Sequence, residues 1–167
     1  MRDLVLVRHA VAEPRDFERW PDDSLRPLTP GGIERFRAVA RGLRRIDVEV
    51  EAVLASPYAR AWATGEILHE EAAWPAPEEC PALEPPKPLS AVVDAVRARS
   101  DATLALVGHQ PQLSELAALL LAGSERSMRI ELKKGGAMCL RFAEPLEAGA
   151  VALRWSASPK ILRTLGG

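Results

Sequence analysis

The chain has 167 residues and a formal net charge of −1, with 47% apolar and 27% charged residues. That length suits one domain, residues 1–167, with a core of its own. The near-neutral balance supplies no global field to recruit nucleic acid or a membrane surface. Cys80 and Cys139 form no CxxC pair, the apolar stretch from Leu116 to Gly123 is too short to span a bilayer, and the start opens no signal-peptide core. A cytoplasmic protein is therefore expected.

In chain order, the first element is the apolar run Leu4-Val5-Leu6-Val7, ending on Arg8-His9. Continuous apolar runs of this kind are expected of buried parallel strands. A polar segment from Ala12 to Leu28 follows, carrying Glu13, Asp16, Glu18, Asp22 and Asp23. Thr29-Pro30 reads as N-cap and first helical residue, with Ile33, Phe36, Ala40 and Leu43 at helical spacing. The arginines at 35, 37, 41 and 44 form either a solvated face or a dock for an acidic partner. Glu51 to Ala55 is a second strand, and Ser56-Pro57 starts a helix with Ala59, Trp62, Ala63 and Ile67 on one face. From Ala72 to Ser90, prolines at 75, 77, 81, 85, 86 and 88 predict an extended surface loop. A helix from Ser90 to Arg99 leads to the strand Thr103 to Val107, which ends on Gly108-His109. Pro111 opens a helix carrying Leu113, Leu116, Ala117, Leu120 and Leu121. Two strands, Ala137 to Phe142 and Val151 to Trp155, join around Gly149, and a final helical turn begins at Ser158. Strands alternating with helices predict an α/β fold, a three-layer α/β/α sandwich with a mostly parallel central sheet.

In such sheets ligands bind beyond the carboxyl ends of the strands. If the strands ending on His9 and His109 are neighbours, both imidazoles reach one crevice. Phosphoryl transfer spreads negative charge over equatorial oxygens, so positioning and electrostatics dominate it. Arginine suits that task, being planar, permanently charged and bidentate. Arg8 precedes His9, and Arg60 falls in the first turn of a helix, where the N–H groups already favour an anion. Neutral imidazole is a competent nucleophile. Two histidines beside two arginines, without a well-placed carboxylate, make a poor dication site. No metal and no other cofactor is expected.

Leu6-Val7-Arg8-His9, Ser56-Pro57-Tyr58-Ala59-Arg60-Ala61-Trp62-Ala63-Thr64 and Val107-Gly108-His109, in that order, resemble the histidine phosphatase superfamily, the phosphoglycerate-mutase-like enzymes. Within it, Arg26-Pro27-Leu28-Thr29-Pro30-Gly31-Gly32 and the short length are most similar to the SixA-type phosphohistidine phosphatases. The resemblance implies His9 as nucleophile, with Arg8, Arg60 and His109 completing a phosphate pocket and His109 charged while phosphate is bound. Two departures stand out. Ala10 replaces the usual glycine after Arg-His, and Arg15 stands where mutases carry a phosphate-contacting asparagine. Glu84 falls near the place of the family's leaving-group acid, within the proline-rich segment. Alkoxide leaving groups need a proton in the transition state, whereas imidazole leaving from phosphohistidine needs less help. A site poor in acid therefore favours phosphoramidates, and a short 72–90 segment implies an open pocket that admits a protein-borne phosphate.

The expected function is hydrolysis of phosphohistidine, on a phosphorelay protein or another phosphohistidine-bearing protein. The alternatives are a small-molecule phosphomonoesterase of the same superfamily and a non-catalytic phosphate-binding regulatory module. Ser56 and Thr64 read as cap and packing residues, His69 as a solvated helix end, and the four tryptophans as packing.

Overall fold

The structure, a computed structural model, describes residues 1–46 and 48–167. Its centre is a sheet of order β3-β2-β4-β1-β5-β6. The strands are β1 (Arg2–Arg8), β2 (Ala52–Ala55), β3 (Pro77–Glu79), β4 (Thr103–Gly108), β5 (Ala137–Phe142) and β6 (Ala152–Ala157). The first four are mutually parallel, and β5 and β6 extend the sheet antiparallel. β6 therefore runs in the direction of β1. The helices are α1 (Pro30–Arg45), α2 (Ala59–Ala72), α3 (Leu89–Arg97), α4 (Gln112–Ala122) and α5 (Pro159–Gly166).

The alternation of a strand explains the layers. Val5 and Val7 of β1 face one core, with Val53, Ala105 and Val107, beneath Val39 and Leu43 of α1, Leu68 of α2 and Leu162 of α5. Leu4 and Leu6 face the opposite core, with Leu104 and Leu106, beneath Val92 and Val96 of α3 and Leu113 and Leu116 of α4. Both faces of the central strands are covered, which is why their sequences read as unbroken apolar runs. The result is the expected three-layer sandwich. Because α1, α2, α3, α4 and α5 each follow a strand of one common direction, all begin at the same end of the sheet, and so does the ligand crevice. No helix of the described residues is long and apolar enough to cross a membrane.

Two expectations are corrected, and the polar segment gains a shape. The 72–90 segment is more than a surface loop: it contributes edge strand β3 and a 3-10 turn, Pro81–Leu83, and buries Trp74, Cys80 and Leu83. Prolines are tolerated there because β3 pairs on one side alone, so a missing N–H breaks no ladder. The helix after Ser56-Pro57 starts two residues later, at Ala59, with Tyr58 as its N-cap. Its buried face is Ala61, Thr64, Gly65 and Leu68, while Trp62 stays half-buried. The polar Ala12–Leu28 segment is a folded arm: Ala12 and Leu28 form a β-bridge at its base, and a 3-10 turn, Asp23–Leu25, lies near its end.

Candidate active site

β1 and β4 are hydrogen-bonded neighbours with Arg8 opposite Gly108, so His9 and His109 emerge side by side at the carboxyl end of the sheet. Their ring centroids are 5.2 Å apart, with the planes tilted at 56°. The backbone there is pinned from several sides. His9 N–H donates to the Gly108 carbonyl at 3.0 Å, and Gly135 N–H is shared by the carbonyls of Arg8 and His9 at 3.1 Å. Ala10 N–H donates to Thr64 Oγ1 at 3.0 Å, and that hydroxyl donates to the Arg60 carbonyl at 2.7 Å. Thr64 thus ties the loop that carries His9 to the helix that carries Arg60.

The imidazole of His9 lies 2.7 Å from the Ala10 carbonyl through Nδ1. A carbonyl only accepts, so Nδ1 carries the proton and Nε2 keeps the lone pair. Burial first, then Arg60, Arg8 and Lys134, lower its pKa to about 3, although the Ala10 bond pulls the other way. His9 is therefore a neutral imidazole at pH 7. His109 is lowered to about 2 by burial, then by His9 and Arg60. Asp23 pulls the other way but is outweighed, so on balance the protein holds His109 neutral, and an incoming anion adds the push toward the charged form implied by the resemblance.

His109 Nε2 lies 2.9 Å from Ser56 Oγ, which also accepts from Tyr58 N–H at 3.3 Å. The Ser56 hydroxyl thus serves both the backbone before α2, where Tyr58 is still extended, and His109. The ring of Tyr58 closes another wall, 5.2 Å from His109 and 5.1 Å from the Arg60 guanidinium.

Arg60 is 4% exposed and directs Nη1 to the Asp23 carbonyl at 2.8 Å and Nη2 to Asp23 Oδ2 at 3.0 Å. Arg26 Nε reaches Asp23 Oδ1 at 2.8 Å. Arg8 donates through Nη1 to the Leu132 carbonyl at 3.0 Å. Burial lowers the pKa of Arg8, Arg60 and Lys134, and for Lys134 the nearby Arg8, Arg26 and Arg60 add to it. Burial raises Asp23, but Arg26, Arg60 and Arg15 together outweigh it, so its carboxyl titrates below the usual range.

Three buried nitrogens at the site have no partner among the described residues: Arg8 Nε and Arg60 Nε, both donors, and His109 Nδ1. A buried, unpaired N–H costs about 1–3 kcal/mol, more when charged, and such groups call for a ligand. An oxyanion of tetrahedral shape answers all three.

Of the residues expected at the site, Arg8, His9, Arg60 and His109 converge. Glu84 ends the 3-10 turn at the same end of the sheet, its neighbour Leu83 packing 3.6 Å from where a Gly108 side chain would begin. The Glu84 carbonyl accepts from Gln112 at 3.3 Å, while its carboxylate forms no ion pair among the described residues. Asp23, Arg26 and Lys134 were not expected here. Arg26 stood in a quoted motif without a role, and Asp23 was one acid among five in a polar stretch. The pocket is also tighter than expected, with His9 6% and His109 2% exposed. Asp23 draws the arm over Arg60, supplying cover that the short 72–90 segment does not.

Comparison with known proteins agrees with this geometry. The sequence pattern of the histidine phosphatase superfamily (branch 1) matches residues 4–84. The chain is 34% identical to the phosphohistidine phosphatase SixA of Escherichia coli over 64% of this chain and 68% of that protein. It is 36% identical to an uncharacterised protein of Picosynechococcus over 83% of this chain and 84% of the relative. The structure superposes on the protein histidine phosphatase SixA complexed with tungstate with a TM-score of 0.82 and 27% identity, covering 96% of this chain and 99% of that one. The chain belongs to the histidine phosphatase superfamily, in its SixA-type branch.

Proposed function

We propose that the protein, as one domain and without a metal, hydrolyses phosphohistidine carried on another protein, by way of a covalent phosphohistidine on His9. The observation that carries the reading is the trio of buried nitrogens on Arg8, Arg60 and His109, unpartnered among the described residues, around a neutral imidazole. The His9 Nε2 lone pair attacks phosphorus in line, forming an N–P bond as the bond to the departing imidazole breaks. Water then attacks the phosphoenzyme, releasing inorganic phosphate and restoring His9. The arginines bind equatorial oxygens throughout, where charge accumulates.

Ser56 sets the role of His109. Its oxygen accepts from Tyr58 N–H, and in the proposed tautomer its own proton goes to Nε2, leaving Nδ1–H free to donate to phosphate. The Arg8, Arg60 and Lys134 charges repel a divalent ion, so chelators are expected to leave turnover unchanged. Glu84 is the carboxyl proposed to protonate an ester leaving group; phosphohistidine, with a better leaving group, depends on it less.

The near-complete burial of both imidazoles favours a second reading, a phosphatase for small phosphate esters. The test offers a phosphohistidine protein, an aryl phosphate and phosphoglycerate to wild type and His9→Ala. Wild type is expected to form a burst of acid-labile phosphoenzyme and to favour the phosphohistidine protein. His9→Ala is expected to lose the burst and at least about a thousandfold in kcat. Equal turnover of an unactivated alkyl phosphate overturns the phosphohistidine reading.

A further inference from the structure

Beside the nucleophile, on the α1 and α5 flank, lies a second cationic feature that the chemistry above does not use. Ala10, Gly32, Arg35, Lys134 and Arg163 line a small cavity of about 30 Å³, room for one water, and no acidic residue lines it. Arg35 and Lys134 are exposed and Arg163 is half-buried. Other basic residues nearby are neutralised: Arg37 and Arg41 pair with Glu71 of α2 at 3.4 and 3.2 Å, and Lys133 approaches Glu131 at 3.9 Å. Arg35, Lys134 and Arg163 form no such pair among the described residues.

Three further facts make this a surface rather than a scatter of charges. The N-termini of α1 and α5 begin there, capped by Thr29 and Ser158, so the helix dipoles add positive potential. Lys134 belongs to both places, since it raises the positive field on His9 and feels that of Arg8, Arg26 and Arg60. Ala10 and Gly135 carry the wall of the cavity straight into the backbone that holds His9. The chain as a whole has a net charge of −1, so the positive field is local to this end. The cavity itself is too small for a second phosphate group, and its exposed rim suits carboxylates presented by a protein.

We propose that Arg35, Lys134 and Arg163 form a docking surface for acidic residues flanking the phosphohistidine of a protein substrate. This rests on the phosphohistidine reading and extends it to partner choice. Charges at the rim of an interface act mainly on association rate and specificity, and salt screens them. A phosphohistidine set among carboxylates is thereby steered into a pocket whose floor is almost closed.

The test uses two synthetic phosphohistidine peptides of about a dozen residues, one flanked by glutamates and one by serines. An extended dodecamer spans about 40 Å, ample to bridge pocket and rim. Wild type is expected to prefer the acidic peptide about tenfold in kcat/KM at low salt, the preference shrinking as salt rises. The double variants Arg35→Gln/Arg163→Gln and Arg35→Glu/Arg163→Glu are expected to erode and then abolish it. Hydrolysis of a small aryl phosphate by the same preparations stays within about twofold of wild type, which also reports intact folding. Equal use of both peptides by wild type, a preference that survives charge reversal, or parallel losses on peptide and aryl phosphate each overturn the docking surface. Cleavage of aryl phosphate with neither peptide touched overturns the phosphohistidine reading instead.

Discussion

Asp23 divides its two oxygens between two arginines, Oδ1 to Arg26 and Oδ2 to Arg60. Two effects of that carboxylate oppose each other. It orients the Arg60 fork, leaving Nε unpartnered among the described residues, and it also places a negative charge beside the proposed anion site. Asparagine keeps an acceptor oxygen and removes the charge, so Asp23→Asn separates the two. With unit charges several ångströms apart in a partly buried site, Coulomb energies reach a kcal/mol or more. Inorganic phosphate, measured as a competitive inhibitor, is therefore expected to bind Asp23→Asn about fivefold more tightly at low salt, with slower product release. Weaker phosphate binding would mean that orientation of Arg60 outweighs charge. Asp23→Ala, which loses both, is expected to weaken substrate binding. At this scale the sequence was legible where chemistry and neighbours coincide: Arg8-His9 and Gly108-His109 end apolar runs, and Arg60 sits in a helical first turn. Asp23 was not legible, because its meaning depends on an arm folding back over α2.

Among the elements, α1 and α5 meet at unusually close range. A Cβ on Gly42 would run into the Leu162 carbonyl, and one on Gly166 into the Ala38 carbonyl, so bare backbone faces backbone. Alanine at 42 gains roughly 1 kcal/mol of helix propensity but forces the helices apart, and overpacking of this kind costs about 1–3 kcal/mol. Because the obstacle is backbone, the cost is expected to win. Gly42→Ala should lower the melting temperature by about 3–6 °C in calorimetry, and an unchanged value would show that α5 moves freely. The same elements show why boundaries were read unevenly. β1 and β4 are covered on both faces and read as pure apolar runs. β3 is Pro-Glu-Glu on the edge of the sheet, where one-sided pairing leaves no apolar pattern to find. The start of α2 was misplaced because Tyr58 stays extended as the N-cap, so the Ser56 hydroxyl meets only the Tyr58 N–H before the helix begins.

For the molecule as a whole, the convergence of helix N-termini, arginines and two buried imidazoles makes one end strongly electropositive, and folding bears the consequence. His9 and His109 titrate near 3 and 2 in the folded protein, below the ordinary 6.5. Between those values the unfolded chain binds protons that the folded chain refuses. Stability is thus fully present above pH 6.5 and is lost as pH falls, with a ceiling of about 1.4 kcal/mol per pH unit for each histidine. Asp3, Asp23 and Asp101 are lowered as well, but their ordinary value of 3.8 puts their contribution further down. The interval from pH 6.5 to about 5 therefore belongs to the histidine pair. Urea unfolding midpoints for wild type are expected to fall steadily across it, and His109→Gln should remove about half of that slope. Inorganic phosphate binds only the folded protein, so it stabilises by mass action. Its charge also raises both imidazole pKa values toward the ordinary one, so saturating phosphate should flatten the slope as well as shift the midpoint upward. A parallel shift without flattening would place the bound anion away from the histidine pair and leave Arg8 and Arg60 without the ligand their buried donors require.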